Sequence, residues 1–394
     1  MNKFSMNKEK VWSRGFTILT LSNGLINVGV HMLTPAIPLY LVSLGALESQ
    51  VGIVATSFLV ASIVMRMAVN FLLVKTGKKL LLIMGVLINT VVMFFFGMVD
   101  SLGATAVLRA IQGMGFGITT TLTATMAADF LPDSRRGEGI GYFSMAIVLA
   151  ITIGPAVSLF ILENFGFQLM FFTASGFSVI ATIALLFSEE PVIEGRPVQE
   201  EKKKPAFRWK NLYDPRLILP TGLIVLFGVS RSADQNYISI FAQEKGFAHL
   251  AWYYPICTIT MFCIRLIVGR FSDRKGRNRV LIPGGFAMLA LLITLSLAES
   301  SGVMLLGAFF SGLGVGVLAP GMQLWMFSCV EPERRNIAST TYFNFMDVGI
   351  GIGAFSLGFI TESAGYSVMF QTAAIAALLF IVLYAAIGRE KTRV

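Results

Sequence analysis

Charge is the scarcest ingredient of this 394-residue chain: only 13% of its residues are Asp, Glu, Lys or Arg, about half of what a soluble domain carries. With 55% hydrophobic residues and a mean hydropathy of +0.74, a soluble globular protein is excluded and the chain belongs in lipid. Histidine is also nearly absent, with His31 and His249 alone, and the three cysteines, Cys257, Cys263 and Cys329, have no paired spacing. Neither a disulfide framework nor a His/Cys metal cluster is available, and the thiols are expected to be free and buried. Walker A, Gly-x-Ser-x-Gly and His-Glu-x-x-His patterns are missing too. ATP-driven pumping and the commonest hydrolytic chemistries therefore lack support, and no enzyme activity, cofactor or metal is expected.

What remains is a succession of apolar runs. Crossing a hydrocarbon core takes roughly 20 apolar residues, and runs of that kind fall at Phe16–Tyr40, Val51–Leu73, Leu80–Met98, Thr105–Ala128, Gly139–Leu162 and Phe167–Phe187. A polar, charged stretch from Ser188 to Pro215, with Lys202, Lys203 and Lys204 in a row, reads as a solvated linker. Six more runs follow at Leu217–Ala242, Leu250–Phe271, Val280–Ala298, Val303–Ser328, Ile337–Thr361 and Val368–Ile387. The expected fold is an all-α membrane protein of twelve transmembrane helices, with one bundle in residues 1–188, a linker in 189–215 and a second bundle in 216–394.

Basic residues gather at alternate connections. The N-terminal segment (Lys3, Lys8, Lys10, Arg14), the second loop (Lys75, Lys78, Lys79), the fourth (Arg135, Arg136), the linker, the eighth (Arg270, Arg274, Lys275, Arg277, Arg279), the tenth (Arg334, Arg335) and the tail (Arg389, Lys391, Arg393) are all basic. The intervening loops carry Glu48, Asp100, Glu163, Glu299 and Glu362 and almost no base. Cytoplasmic loops collect lysine and arginine, so both termini are expected in the cytoplasm of a multi-pass protein of the inner or plasma membrane. The same bias explains the net charge of +9 without a nucleic-acid partner. The first apolar run is too long, and lacks the small-residue cleavage site, to be a signal peptide.

Shifting the chain against itself by 199 residues superposes Arg66 on Arg265, Lys75 on Arg274, Gly77 on Gly276 and Lys78 on Arg277. The register persists: Gly113, Gly115 and Gly117 fall on Gly312, Gly314 and Gly316, Gly154 on Gly353, and Glu163, Gly166, Met170 and Phe171 on Glu362, Gly365, Met369 and Phe370. The halves are parallel repeats. Repeats of six spans share one topology, which puts a solute site near the membrane midplane between them and lets them rock about it.

With these motifs in hand, the chain resembles the major facilitator superfamily, and more narrowly its twelve-helix drug:proton antiporter branch. The loop after the second span of each half carries the resemblance, for which the family pattern is roughly G-x-L-x-D-R-x-G-R-R. The second copy, Gly269 to Arg277 with Asp273, Arg274 and Gly276, is close to complete, whereas the first has Asn70 and Val74 in place of the glycine and aspartate. The resemblance implies that Arg66, Asn70, Val74, Lys75, Gly77, Arg265, Gly269, Asp273, Arg274 and Gly276 form a cytoplasmic conformational latch. Glycine permits close helix approach and aspartate favours a helix N-terminus; Val74 supplies neither. Arg109, Gln112, Gly113 and Gly115 resemble the R-x-x-Q-G-x-G pattern of proton-coupled members. Of the antiporters' G-P-x-x-G-G stretch only Gly154 and Pro155 are present, with Ser158 and Leu159 where glycines would be.

Ionisable groups at membrane depth are costly and functional by default. Arg231 and Asp234 are three apart on one helix face and are expected either to clamp structure or to form part of the substrate or proton site. Asp347 shares a face with Asn344 and Gly351, and is a proton carrier or a packing element. Asn23, Asn27 and His31 form a polar stripe that either lines a cavity or is a satisfied core cluster; the threonines at 119, 120, 121, 123 and 125 either line it or glue helices together. The resulting expectation is a proton-coupled exporter of a small amphipathic or metal-chelating molecule, acting as a monomer in the bilayer, with Asp234, Asp347 and Arg109 as proton-coupling candidates and Asn23, Asn27, His31, Gln112, Arg231 and Asn344 as cavity candidates. A lipid or sugar carrier or a nutrient symporter is the alternative. A membrane sensor is disfavoured because the linker is too short for a signalling domain.

Overall fold

The computed structural model describes residues 11–132, 135–188, 214–275, 278–331 and 334–387. They form ten long helices: α1 (Arg14–Ser43), α2 (Glu48–Thr76), α3 (Lys78–Phe96), α4 (Leu102–Asp129), α5 (Arg136–Leu186), α6 (Ile218–Glu244), α7 (Tyr253–Lys275), α8 (Asn278–Ser296), α9 (Ser301–Ser328) and α10 (Arg335–Ile387). Among the described residues there is no strand. At 51 and 53 residues, α5 and α10 are about twice the length that spans a bilayer. Each breaks once, at Gly166 (φ 82°) and Gly365 (φ 81°), in a left-handed conformation that glycine adopts without steric cost. Ten helices thus make twelve rods. The loops expected around Glu163 and Glu362 are reduced to these single glycines, and both acids lie on helices. The segment 189–213, and with it most of the expected linker, lies outside the described residues.

The sequence signals for the ends are local. Ser13, Ser101 and Ser300 each accept a hydrogen bond from a backbone amide three residues on, at 3.2, 3.4 and 3.4 Å, supplying one of the donors a helix start leaves unpaired. Ser101 and Ser300 are themselves one repeat apart. Eight of the stretches are long and apolar enough to cross a membrane, the bent α5 and α10 counting once each. α4, which carries Arg109, Gln112 and the five threonines between 119 and 125, falls short, and the described side chains of α7 end at Arg265.

Packing repeats as the sequence does. α1 packs on α5 and α6 on α10, α2 on α4 and α7 on α9, and α3 on α4 and α8 on α9. The glycines set these approaches: Gly113 faces the Phe58 backbone and Gly312 the Cys257 backbone, and Gly117 faces Ser62 where Gly316 faces Met261. Each pair of contacts is displaced by the same 199 residues. Small residues at such crossings let helix backbones meet where lipid supplies no hydrophobic drive.

The halves meet chiefly where α2 packs on α10, and also where α1 packs on α6 and α5 on α7. The α2–α10 seam is tight from the face opposite the termini inward. A Cβ on Gly358 would lie 2.6 Å from the Glu48 carbonyl oxygen. Thr56 of α2 donates to the Gly351 carbonyl of α10 at 3.0 Å, and Tyr237 of α6, in the second half itself, backs the seam by donating to the Ala354 carbonyl at 2.5 Å. Phe58, Leu59 and Ile350 then close a small buried cluster with Phe116 and Met346. The expectation that all three thiols are buried fails for Cys263, which is exposed on α7, while Cys257 and Cys329 are partly buried; no disulfide joins them.

Candidate transport site

Besides Arg265, the described residues place three charged groups in the interior, each with a different relation to the two halves. The first is a closed knot inside the second half. Arg231 and Asp234 sit three apart on α6, and one guanidinium nitrogen of Arg231 donates to both carboxylate oxygens at 2.8 and 2.6 Å. Ser311 of α9 donates to Asp234 at 2.6 Å and Tyr253 of α7 at 3.3 Å, while Arg231 also reaches Ser311 at 3.2 Å. Asp234 is 1% exposed. A buried carboxylate with its charge answered and its lone pairs filled is held firmly, and removing one partner would strand the others. The knot ties α6, α7 and α9 together.

The second group bridges the halves. Arg66 of α2 donates to Asp347 of α10 at 2.5 Å, and the two side chains are only 14% and 18% exposed. The ring of Phe116 lies 5.9 Å from the Arg66 guanidinium carbon. Gly351 lies one turn on from Asp347 along α10 and packs against Thr56 and Leu59 of α2; Asn344, one turn before, buries an Oδ1 that has no hydrogen-bond partner. In the repeat register Asp347 corresponds to Val148, so the ion pair belongs to the α2–α10 seam and has no counterpart between α7 and α5. Arg265, the equivalent of Arg66, has a buried Nε with no hydrogen-bond partner.

The third group is Arg109 on α4. Its Nη1 donates to Gln112 Oε1 at 2.5 Å and its guanidinium lies 4.2 Å from the Phe58 ring centroid. Arg109 Nε and Gln112 Nε2 are buried without partners. Arg109 lines a cavity of about 40 Å³ between the halves together with Thr34, Ile37 and Pro38 of α1, Val51 and Ala55 of α2, and Gln235 and Asn236 of α6. His31 of α1 lies within electrostatic reach of both Arg109 and Arg231, with its β-carbon against Gly154.

The rest of the stripe is self-contained: Asn27 donates to the carbonyl and the side chain of Asn23, at 2.8 and 3.1 Å, and both are buried. All five α4 threonines donate to carbonyls one turn back on their own helix. At the expected latch, Lys75 is exposed at the end of α2 and Gly77 turns the chain with a φ of 78°. Lys78 pairs with Asp129 at 3.3 Å, and Lys79 donates to the Leu186 and Ser188 carbonyls at 3.2 and 2.5 Å. The side chains of Asn70, Val74, Gly269, Asp273 and Arg274, and all of Gly276, lie outside the described residues.

Sequence reasoning missed Ser311, Tyr253, Phe58, Gln235 and Asn236. Only Ser311 left a signal: it stands one repeat from Gln112, and each of the two hydrogen-bonds the arginine of its own half. Outside the membrane, Asp214 caps the turn that leads into α6. It accepts from the Arg216 amide at 3.1 Å and side chain at 3.2 Å, and from Arg334 at 2.6 Å. These bonds, the Arg216 amide foremost, hold its carboxyl below the usual carboxylate range.

The family model described as Major Facilitator Superfamily matches residues 19–302 and 276–393. The Multidrug resistance protein MdtG of Enterobacter lignolyticus is 24% identical over 97% of this chain and 93% of its own length. The Multi-drug resistance efflux pump PmrA of Streptococcus pneumoniae is 24% identical over 91% of this chain and 92% of its own. Among solved structures, that of the nucleoside transporter NupG superposes with a TM-score of 0.77 at 14% identity, covering 95% of this chain and 99% of NupG.

Proposed function

The chain belongs to the major facilitator superfamily and is a membrane transporter of small molecules, and from that premise we propose that it is a proton-coupled exporter of small amphipathic molecules, working as a monomer. The observation that carries the proposal is the Arg66–Asp347 pair, because it joins the proton to the conformation. Asp347 is the one interior carboxylate among the described residues that bonds across the two halves. Protonation removes the charge that answers Arg66, and the α2–α10 seam then loses its ion pair. Deprotonation restores it. Asp234 is the poorer carrier, since its partners all lie in its own half and hold it in either arrangement. We assign it to shaping the second half's side of the cavity.

The efflux reading takes its support from the names of the MdtG and PmrA relatives; the likeness to NupG speaks to fold alone. In the orientation the basic loops favour, with both termini in the cytoplasm of the inner or plasma membrane, the tight α2–α10 seam closes the outer side. Substrate then enters the cavity from the inner face or leaflet, and the halves rock to release it outside. The test is transport by the purified protein in proteoliposomes under an imposed pH gradient, across a panel of lipophilic ions, metal chelates and sugars. Gradient-driven, saturable movement of an amphipathic member is expected. Sugar movement alone, or transport indifferent to the gradient, overturns the proposal.

A further inference from the structure

We propose that the substrate is an organic anion, an amphipathic body with a carboxylate, sulfonate or phosphate head, held at Arg109 of the first half in the cavity that Gln235 and Asn236 of the second half also line. The inference rests on the exporter reading and narrows its substrate class. It stands on a count of charge and a count of donors. Among the described residues that line the cavity Arg109 is the only charged one, and the nearest charges on the second half are Arg231 and Asp234 on the same helix as Gln235 and Asn236. Arg231 and Asp234 answer each other, and Arg109 has only the neutral Gln112 oxygen and the face of Phe58. The other carboxylates facing this region are occupied or distant: Asp347 is paired with Arg66, Asp100 accepts from Tyr40 outside the cavity, and Glu48 starts α2 beside Gly358 at the far face. One buried positive charge therefore stands uncompensated on the cavity wall, an arrangement that is expensive until an anion enters.

The orphaned polar atoms point the same way. Arg109 Nε and Gln112 Nε2 are both donors, both buried and both without an acceptor. The amide orientation of Gln112 is set, because its Oε1 accepts from Arg109. An anionic head brings the acceptors these donors lack, and a planar guanidinium suits a carboxylate or phosphate. The cavity of about 40 Å³ has room for a headgroup.

The test uses two probes of equal size and opposite charge, a naphthyl carboxylate and a naphthyl trimethylammonium. Equilibrium binding to the detergent-solubilised full chain is expected to favour the carboxylate. Its affinity should fall at least about tenfold in Arg109→Gln, the usual worth of a hydrogen bond to a charged group, and be partly kept in Arg109→Lys. Preference for the ammonium, or carboxylate affinity unchanged in both variants, overturns the inference. Where Arg109→Gln does not fold, the wild-type preference and Arg109→Lys decide. Proteoliposomes then separate this inference from the exporter reading. Carboxylate binding that depends on Arg109 without gradient-driven movement supports the anion site and defeats proton-coupled export; gradient-driven movement of the ammonium alone does the reverse. Exchange of one monoanion for one proton moves two elementary charges, so carboxylate export should speed up with an inside-negative potential set by potassium and valinomycin. Export indifferent to that potential counts against an anion.

Discussion

Replacing Asp347 by asparagine keeps the shape of the seam and removes the charge that answers Arg66. The guanidinium is then left 14% exposed, with the Phe116 ring 5.9 Å away as its remaining charge-stabilising contact. Breaking a buried ion pair from one side costs about 3–5 kcal/mol. The partial exposure of both groups and a cation–π contact worth about 0.5–1 kcal/mol bring this to about 2–3 kcal/mol. That energy is lost only by the arrangement in which α2 and α10 are docked, so its population relative to the alternative should fall by about 30- to 150-fold. Spin labels at the exposed Leu47 and Ser363, with the native cysteines replaced, read the far-face end of the seam by pulsed electron paramagnetic resonance. Longer distances are expected in Asp347→Asn. In Arg66→Met with Asp347→Asn most of the shift should be recovered, since the stranded charge has gone. Distances unchanged in the single variant, or effects that simply add in the double one, would refute the pair as a clamp between the halves.

Three further outcomes follow from the packing. Gly358→Ala places a Cβ 2.6 Å from the Glu48 carbonyl oxygen, both on backbone that cannot swing away, so the same labels should move apart at a cost of about 1–3 kcal/mol; an unchanged distance would mean the seam is looser than described. Asp214→Ala removes a cap worth about 1 kcal/mol and should lower the thermal midpoint at neutral pH. Because the folded carboxyl titrates below its ordinary value of 3.8, its stabilisation is complete above that value and is lost as pH falls through the lower, folded one, so wild type and variant should converge only in strong acid. Asn70→Gly with Val74→Asp restores the family pattern at the first latch and should favour closure at the terminal face by about 1–2 kcal/mol, about tenfold in population. Labels on the terminal ends of α2 and α10 should then draw together, and failure to do so would mean the departure is compensated elsewhere.

Much of this architecture was legible because lipid imposes it. Apolar runs of the required length mark the rods, and the 199-residue register predicted equivalences that reappear as matching backbone contacts at Gly113 and Gly312 and as matching left-handed breaks at Gly166 and Gly365. Partners were another matter. That Arg231 and Asp234 share a helix face follows from three-residue spacing, but Ser311 and Tyr253 come to Asp234 from other helices. The Arg66–Asp347 pair joins residues 281 apart, and the register hides it, because Val148 at the equivalent place leaves no second copy to notice. For the α4 threonines the sequence left lining and helix glue both open, and in the structure each hydroxyl donates to a carbonyl of its own helix.

The central claim is that the proton acts through Asp347, and comparing two modes of transport by the same proteoliposomes tests it most directly. Substrate exchange at equal pH needs only binding and rocking, whereas accumulation against a concentration difference under an imposed pH gradient also needs the proton. Asp347→Asn should still exchange substrate, more slowly because its docked arrangement is depleted, and lose gradient-driven accumulation altogether, while Asp234→Asn, which strands Arg231 in the second half, should impair both in proportion. Full gradient-driven accumulation by Asp347→Asn would contradict the account.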